Sequence, residues 1–135
     1  MLAAAAVAAF VLTSAAFTNG GTIPARYTCD GAGVSTPLRW TAPPAGTTTL
    51  TLTVTDPDAP GGTFVHWRAW GISPRSRGLR AGQHPPHEGR NSAGTIGWTG
   101  PCPPAGPAHH YVFVLRAYRG GRVVATARLV VRYGR

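Results

Sequence analysis

The sequence contains no lysine and few acidic or sulfur-containing residues. Its 135 residues include four Asp or Glu, two Cys and one Met, whereas 13 Arg carry the basic charge. No apolar run reaches the roughly 18–20 residues that a transmembrane helix needs. The 18 Gly and 13 Pro follow no period, which excludes a collagen-like chain, and no coiled-coil pattern is present. The length of the chain suits one domain, and its 43% of hydrophobic residues suits a globular protein with a core.

Basic charge is concentrated in the second half of the chain. Residues 61–135 contain 11 Arg and only one acidic residue, Glu88, within a formal net charge of +9. This surplus favours an acidic partner, such as phosphate, phospholipid or nucleic acid. The alternative is a bias toward arginine codons at ordinary surface positions, which the absence of lysine fits. Both explanations stay open, and the arginine count alone does not predict a nucleic-acid partner.

The first twelve residues form an apolar, alanine-rich segment. Residues 1–12 resemble the hydrophobic region of a secretory signal, and small residues follow at 14–16. No basic residue precedes the apolar run. We therefore interpret residues 1–12 as a truncated signal-like segment and residues 13–135 as the folded domain. Export to the periplasm or the cell exterior is favoured over a cytoplasmic location.

Two cysteines, Cys29 and Cys102, are compatible with either compartment. In an exported protein they could form a disulfide that closes a loop of about 70 residues. In the cytosol they would remain buried thiols. Their spacing matches no zinc motif, because the chain has no closely spaced cysteine pair and no matching histidine pair. The sequence leaves the state of the two thiols open.

Runs of β-forming residues predict four strands. In the clearest strand, Thr47–Thr55, leucine and valine alternate strictly with threonine. The other predicted strands are Phe64–Ile72, Tyr111–Tyr118 and Arg122–Tyr133. The turn Arg119-Gly120-Gly121 predicts a hairpin between the last two. Several short strands separated by Gly- and Pro-rich loops indicate a mainly β protein, either a sandwich or a barrel.

Two segments combine polar side chains with a rigid backbone. In Asp56-Pro57-Asp58-Ala59-Pro60, proline restricts the backbone beside two carboxylates, and His66 follows on the next strand. Gly100–Pro107 contains four prolines and two glycines and leads into His109-His110-Tyr111. Backbone N–H groups of such a loop can bind an anion. The alternative is structural: the aspartates cap the turn, and the histidines are ordinary strand residues.

These two segments resemble motifs of the phosphatidylethanolamine-binding protein family, in its bacterial Raf-kinase-inhibitor-like branch. The first motif covers Asp56–Pro60 with Phe64–Trp67, and the second covers Gly100–Gly106 with His109–Tyr111. Further matching segments are Phe17–Pro24, Tyr27–Gly31, Pro37–Trp40 and Gly89–Asn91. Each segment is short, but their order along the chain makes the resemblance specific from about residue 12 to residue 135.

The resemblance implies a mainly β protein with the family's β-sandwich and a small pocket for anions. Matched motif by motif, the pocket residues would be Asp56, Asp58, His66, Gly100, Pro101, His109 and Tyr111. The chain departs from the family pattern at several positions, including Gly71 and Trp98, and two further departures bear on the pocket. His110 stands where the family usually has arginine, and only Arg119-Gly120-Gly121 remains of a helix-containing segment before the last strand. The resemblance therefore predicts that the family's carboxy-terminal helix region is missing.

The predicted function is binding of small anions or phospholipid head groups, such as phosphate or phosphorylethanolamine. The alternative is a protein-interaction regulator that inhibits a kinase or protease, as the family's name suggests. Catalysis is not expected, because Cys102 is the only candidate nucleophile in either motif. We predict no cofactor and no metal site, although His66 and His109 are residues of a metal-ligating type.

Overall fold

The strands of the molecule form two antiparallel sheets. The computed structural model describes residues 8–135. In chain order the strands are β1 (Leu12–Thr13), β2 (Leu38–Trp40), β3 (Thr49–Asp56), β4 (Phe64–Ile72), β5 (Gly78–Leu79), β6 (His87–Glu88), β7 (His109–Arg119) and β8 (Arg122–Tyr133). The larger sheet has five strands in the order β6-β4-β3-β7-β8, and the smaller sheet has three in the order β1-β2-β5.

The larger sheet contains the four strands that the sequence predicted. β4 and β8 have the predicted bounds. β3 begins at Thr49, because Thr47 belongs to the preceding turn and its N–H donates to the carbonyl of Pro44 at 3.2 Å. β7 begins at His109, earlier than predicted. The hairpin between β7 and β8 is confirmed, with Arg119 and Arg122 paired across the turn.

The smaller sheet was not predicted from the sequence. Its strands have only two or three residues, too few for an alternating pattern to identify them. Leu12 pairs with Trp40, and Leu38 pairs with Leu79. All four side chains are buried in the same apolar cluster as the large sheet. Tertiary packing, and not local β propensity, therefore determines where these strands form.

The core lies between the two sheets. Leu50, Leu52 and Val54 of β3 are fully buried, and they alternate with half-exposed threonines. On β8 the buried side chains Leu129 and Val131 alternate with the exposed Arg128 and Arg132 and with the half-buried Val130. Complete burial of one such side chain stabilises the fold by about 1.5–3 kcal/mol. The apolar face of β3 and β8 predicted from alternation is therefore the face that packs on the core.

The predicted mainly β fold is confirmed, and residues 8–135 contain only one helical element, the short 3₁₀ turn Ala25–Tyr27. Gly120 and Gly121 join β7 directly to β8, in agreement with the predicted loss of a helical segment at this point. No helix among the described residues is long and apolar enough to cross a membrane. Of the signal-like segment, residues 1–7 lie outside the described part, and Leu12 belongs to β1.

Candidate functional site

Three strand ends and one loop meet at one end of the large sheet. Asp56 ends β3 and pairs with Phe64, which begins β4. β7, which begins at His109, is the other neighbour of β3. Because these neighbours are antiparallel to β3, both begin where β3 ends. The loop from Thr99 to Pro104 closes this end of the sheet and leaves a pocket of about 330 Å³.

The pocket brings together five of the residues that the motifs predicted. They are Asp56, His66, Gly100, His109 and Tyr111, all of which line it. Asp56 and His109 are 53 positions apart in the sequence. Their proximity follows from the pairing of β3 with β7, in which Thr55 lies opposite Val112.

The other two predicted residues, Asp58 and Pro101, lie beside the pocket and do not line it. The Asp58 carboxylate accepts hydrogen bonds from Nδ1 and from the backbone N–H of His110, at 2.7 and 2.8 Å. These bonds lower the pKa of Asp58. The carbonyl of Pro101 accepts the N–H of Cys29 at 3.1 Å. Asp58 and Pro101 therefore make hydrogen bonds outside the pocket lining, and the motifs did not predict the contact of Asp58 with His110.

Asp56 and His109 form a buried pair. The His109 Nδ1 lies 2.6 Å from Asp56 Oδ2, and the side chains are 10% and 5% exposed. A carboxylate acceptor fixes the ring proton on Nδ1, so Nε2 is the ring nitrogen left to meet a ligand. The other carboxylate oxygen, Asp56 Oδ1, accepts the N–H of Asp58 at 2.8 Å. Both oxygens therefore have donors, which compensates a charge that burial would otherwise destabilise.

His66 is held in one tautomer by the loop. Its Nδ1–H donates to the carbonyl of Thr99 at 2.7 Å, and the Thr99 N–H donates to the carbonyl of His66 at 3.0 Å. Burial lowers the pKa of His66, and the Thr99 carbonyl and the charge of Asp56 oppose that shift. The neutral ring is therefore favoured near pH 7. In this state Nε2 is a hydrogen-bond acceptor.

The hydroxyl of Tyr111 is buried and has no hydrogen-bond partner among residues 8–135. Its ring packs edge-on against the ring of His66, with centroids 5.1 Å apart. Burial, reinforced by the charges of Asp56 and Asp58, raises the pKa of Tyr111 well above its usual value. The phenol therefore stays protonated and can donate. An unpaired buried hydroxyl costs about 1–3 kcal/mol, which an acceptor on a ligand would recover.

A disulfide and a glycine fix the loop that closes the pocket. Cys29 and Cys102 are bonded, with Cα atoms 5.4 Å apart, and Cys102 lines the pocket. The structure thus resolves the alternative that the sequence left open. A Cβ atom on Gly100 would lie 2.7 Å from the Tyr27 carbonyl oxygen and 3.0 Å from Thr28 Cα. Glycine is needed at this position because the two backbones approach so closely.

Part of the pocket wall is apolar, which the sequence motifs did not indicate. The ring of Phe64 packs against that of His66, with centroids 4.7 Å apart. The remaining apolar lining residues are Ala59, Pro60, Ala93, Pro103 and Pro104. Most of them belong to the recognised motifs, but the motifs do not indicate which side chains face the cavity. Ala93 lies in a segment with no motif. Such a wall suits the methylene groups of an organic ligand.

Metal-ligating side chains do not form a cluster in the part of the chain that the structure describes. Residues 8–135 contain no group of three or more His, Cys, Asp or Glu arranged to hold a metal ion. His66 and His109 both line the pocket, but each uses Nδ1 in a hydrogen bond within the protein. In each ring, Nε2 is the nitrogen that is left to meet a ligand.

A family model described as phosphatidylethanolamine-binding protein matches residues 13–131. The fold, with its two sheets and its pocket at the strand ends, agrees with that match. The chain belongs to the phosphatidylethanolamine-binding protein family, and the resemblance carried by its motifs is confirmed. Membership supports a ligand-binding or regulatory role in general terms.

Solved structures share the fold along nearly the whole chain. A homologue of phosphatidylethanolamine-binding protein from Chlamydia trachomatis aligns with a TM-score of 0.89 and 34% identity, covering 94% of this chain and 98% of that one. Escherichia coli YbcL, described as a member of the mammalian family, aligns with a TM-score of 0.87 and 28% identity, covering 95% of this chain and 99% of its own.

Curated relatives are similar in sequence but longer. The protein named "Putative lipoprotein LppC" of Mycobacterium tuberculosis is 48% identical over 107 residues, which cover 77% of this chain and 53% of that protein. The UPF0098 protein of Methanothermobacter thermautotrophicus is 44% identical over 113 residues, covering 78% of this chain and 74% of its own. The chain thus spans about half the length of LppC, and the activity and partners of that longer protein are not carried over.

Proposed function

We propose that the pocket binds a small anion: phosphate itself or the phosphate of a phospholipid head group such as phosphorylethanolamine. The observation that carries this proposal is the Tyr111 hydroxyl, which is buried at the pocket without a partner among the described residues. Buried polar groups are normally hydrogen-bonded. Because the phenol stays protonated, the partner it lacks is an acceptor, and an anionic oxygen is a strong one.

His109 supplies a second donor to the same pocket. Its Nδ1 is held by the buried carboxylate of Asp56 at 2.6 Å. When Nε2 is also protonated, the imidazolium can form a charge-assisted hydrogen bond to the anion, about twice as strong as a neutral one. His66 becomes a third donor only after its Nε2 takes up a proton, because its Nδ1–H is engaged by Thr99.

The carboxylate of Asp56 is compatible with an anionic ligand. Its charge offsets the charge of a protonated His109, and both of its oxygens already accept hydrogen bonds within the protein. A remaining lone pair can meet the ammonium group of an ethanolamine head group. Phe64, on the apolar wall, can contact the methylene groups of the same ligand. Phosphorylethanolamine therefore satisfies more of the wall than phosphate alone.

We propose binding and not catalysis as the role of this pocket. Cys102, the only nucleophile that the motifs offered, is bonded to Cys29 and has no thiol to react. Asp56, His66 and His109 are each engaged in hydrogen bonds that orient them toward holding a ligand. Inhibition of a kinase or protease, the alternative role suggested by the resemblance, stays a prediction.

We further propose that the protein functions outside the reducing cytosol. The disulfide between Cys29 and Cys102 is of a kind that persists in oxidising compartments. The composition of residues 1–12 is that of a signal-like segment. The name of the mycobacterial relative, which includes the word lipoprotein, points in the same direction.

Titration of isotope-labelled protein with phosphate, phosphorylethanolamine and ethanolamine tests the binding proposal. Both anions should shift the NMR signals of His66 and His109, and ethanolamine alone should not. Tyr111→Phe should weaken binding by about fivefold or more, the equivalent of one lost hydrogen bond. Tyr118→Phe, on the same strand but outside the pocket lining, is the matched control. No shift at millimolar anion would overturn the proposal.

A further inference from the structure

The side of the large sheet that faces away from the core is a second feature of the molecule, and we call it the outer face. It is defined by the cross-strand row Arg68, Thr53, Val114 and Arg128, with Arg116 and Arg132 to either side. Thr53 pairs with Arg68 on β4 and with Val114 on β7, and Val114 pairs with Arg128 on β8. Directly opposed residues in a sheet share one face, so the row crosses four strands on the side opposite the buried leucines.

The arginines of the outer face have no acidic partner in the described chain. Across residues 8–135, the only arginine in an ion pair is Arg135, which contacts Asp30 at 3.1 Å. The sequence has four acidic residues in all, and each is engaged elsewhere. The ion pairs of the acidic residues are Asp30 with Arg135, Asp56 with His109, Asp58 with His110 and Glu88 with His84. The charge of the outer face is therefore uncompensated.

The spacing of these charges suits an extended anionic surface. Neighbouring strands lie about 4.8 Å apart, so Arg68 and Arg128, three strands apart, are separated by roughly 14 Å along the sheet. This distance exceeds the Debye length of about 8 Å at physiological ionic strength. The two guanidinium groups therefore interact with different parts of a partner. A single small anion cannot bridge them, whereas a layer of anionic head groups can.

The remaining surface of the outer face fits a lipid layer better than a nucleic acid. Between the arginines, Thr53 is half-exposed and Val114 is 5% exposed. The five-stranded face is broader than the α-helix or two-stranded ribbon that fits a major groove. At one edge the indole of Trp70 is 43% exposed and stacks on His87, with centroids 5.8 Å apart. Tryptophan is favoured at membrane–water interfaces, where its amphipathic ring sits among head groups.

We propose that the outer face docks the protein onto an anionic lipid surface. The proposal is independent of the pocket, because Arg68, Arg116, Arg128 and Arg132 are absent from the pocket lining. Each arginine near such a surface contributes roughly a fivefold gain in partitioning. Removing two of them should therefore lower vesicle binding by roughly 25-fold, and raised salt should weaken binding of the unaltered protein.

Cosedimentation with vesicles tests this proposal directly. The protein should bind vesicles of equimolar phosphatidylglycerol and phosphatidylcholine, and it should not bind pure phosphatidylcholine. The double variant Arg116→Gln/Arg128→Gln should lose most of the binding. The matched control Arg75→Gln/Arg80→Gln changes net charge equally at exposed residues beyond the outer face, and it should retain binding. Circular dichroism should show that both double variants are folded.

Three results would overturn the proposal: no binding to the anionic vesicles, an equal loss in both double variants, or retention by duplex DNA in place of vesicles. Anion binding at the pocket is measured separately from vesicle binding. The pocket is probed with soluble phosphate, and Arg116→Gln/Arg128→Gln should keep the phosphate-induced NMR shifts of His66 and His109. Failure of the anion pocket and failure of the lipid-docking face are therefore distinguishable in one set of proteins.

Discussion

The Nδ1 of His109 lies 2.6 Å from Oδ2 of Asp56, and this contact joins the first residue of β7 to the last residue of β3. Because both side chains are almost fully buried, the carboxylate has no solvent to replace its partner. The pair therefore serves two purposes. It ties two strand ends together, and it sets the tautomer that His109 presents to the pocket.

Replacing the carboxylate of this pair should damage both stability and binding. Asp56→Asn removes a hydrogen bond to a charged group, and we expect it to destabilise the fold by about 1.5–3 kcal/mol. Phosphate affinity at pH 7 should fall by about tenfold or more, because the cationic form of His109 loses its counterion. Calorimetric titration and thermal unfolding measure the two effects.

Asp58→Asn is the control for this variant, since Asp58 is nearby but outside the pocket lining. Its pair with His110 is substantially exposed, and exposed pairs contribute little. We expect phosphate affinity to change by less than about twofold. If the two asparagine variants weakened binding equally, charge near the loop and not the buried pair would be responsible.

Anion affinity should rise as the pH falls, because His66, whose pKa burial lowers, must take up a proton before its Nε2 can donate to the anion. Above about pH 6.5 the His66 ring is neutral in both the folded and the unfolded protein, so its burial carries no protonation penalty. As the pH falls, the unfolded protein takes up this proton first, and stability decreases until the pH has passed through the lowered folded-state pKa. A bound anion reverses the preference by accepting a bond from Nε2–H, so binding takes up a proton.

Sulfate is the suitable probe for this effect, because its own charge does not change over the range of the experiment. Titrations from pH 8 down to about pH 5 should show rising affinity, and the NMR-detected pKa of His66 should increase when sulfate is bound. His66→Gln should flatten the part of the pH dependence that arises from His66. An unchanged His66 pKa in the complex contradicts a direct contact with the anion.

Tyr111→Phe should move stability and binding in opposite directions. Removing a buried hydroxyl that has no partner in the described chain relieves an unsatisfied group, so the free protein should gain about 1 kcal/mol. The same variant loses a donor to the ligand and should bind phosphate more weakly. A variant that is less stable and binds normally would show that the hydroxyl has a different partner, such as an ordered water. Thermal unfolding with and without phosphate measures both quantities.

Breaking the disulfide should lower stability and loosen the pocket. The bond between Cys29 and Cys102 spans 73 positions, and the chain-entropy model assigns such a loop about 4 kcal/mol. Cys29→Ser/Cys102→Ser should therefore unfold at lower denaturant. Anion affinity should also fall, because Cys102 is part of the pocket wall. A thiol count on denatured native protein, expected to find no free thiol, provides the direct check on the bond.

Prediction from the sequence succeeded where a residue pattern is long enough to be specific. The strand that contains Leu50, Leu52 and Val54 was recognised because eight residues alternate. The pairing of Leu12 with Trp40 was not, because a strand of two residues is determined by its partner and not by its own sequence. Local pattern thus identifies the large sheet, whereas the small sheet is a product of tertiary packing.

The same distinction applies to the pocket. Motif order identified His109 and Tyr111 as pocket residues, and strand pairing places them there. Asp58 was grouped with Asp56 because the two are neighbours in one motif, but its side chain turns toward His110. Spacing in a turn does not determine which way a side chain points. No sequence pattern indicated Ala93 as a lining residue, because a small apolar side chain in a loop has no distinctive chemistry.

The two-residue connection between β7 and β8 also affects how this hairpin can fold. Contacts next to Gly120 and Gly121 close very short loops and cost little chain entropy, so this hairpin can zip up outward from its turn. His109 pairs with Tyr133, at the opposite end of the hairpin. When pairing starts at this turn, the pocket end of β7 is the last part of the hairpin to pair, so His109 and Tyr111 reach their positions late in the formation of the hairpin.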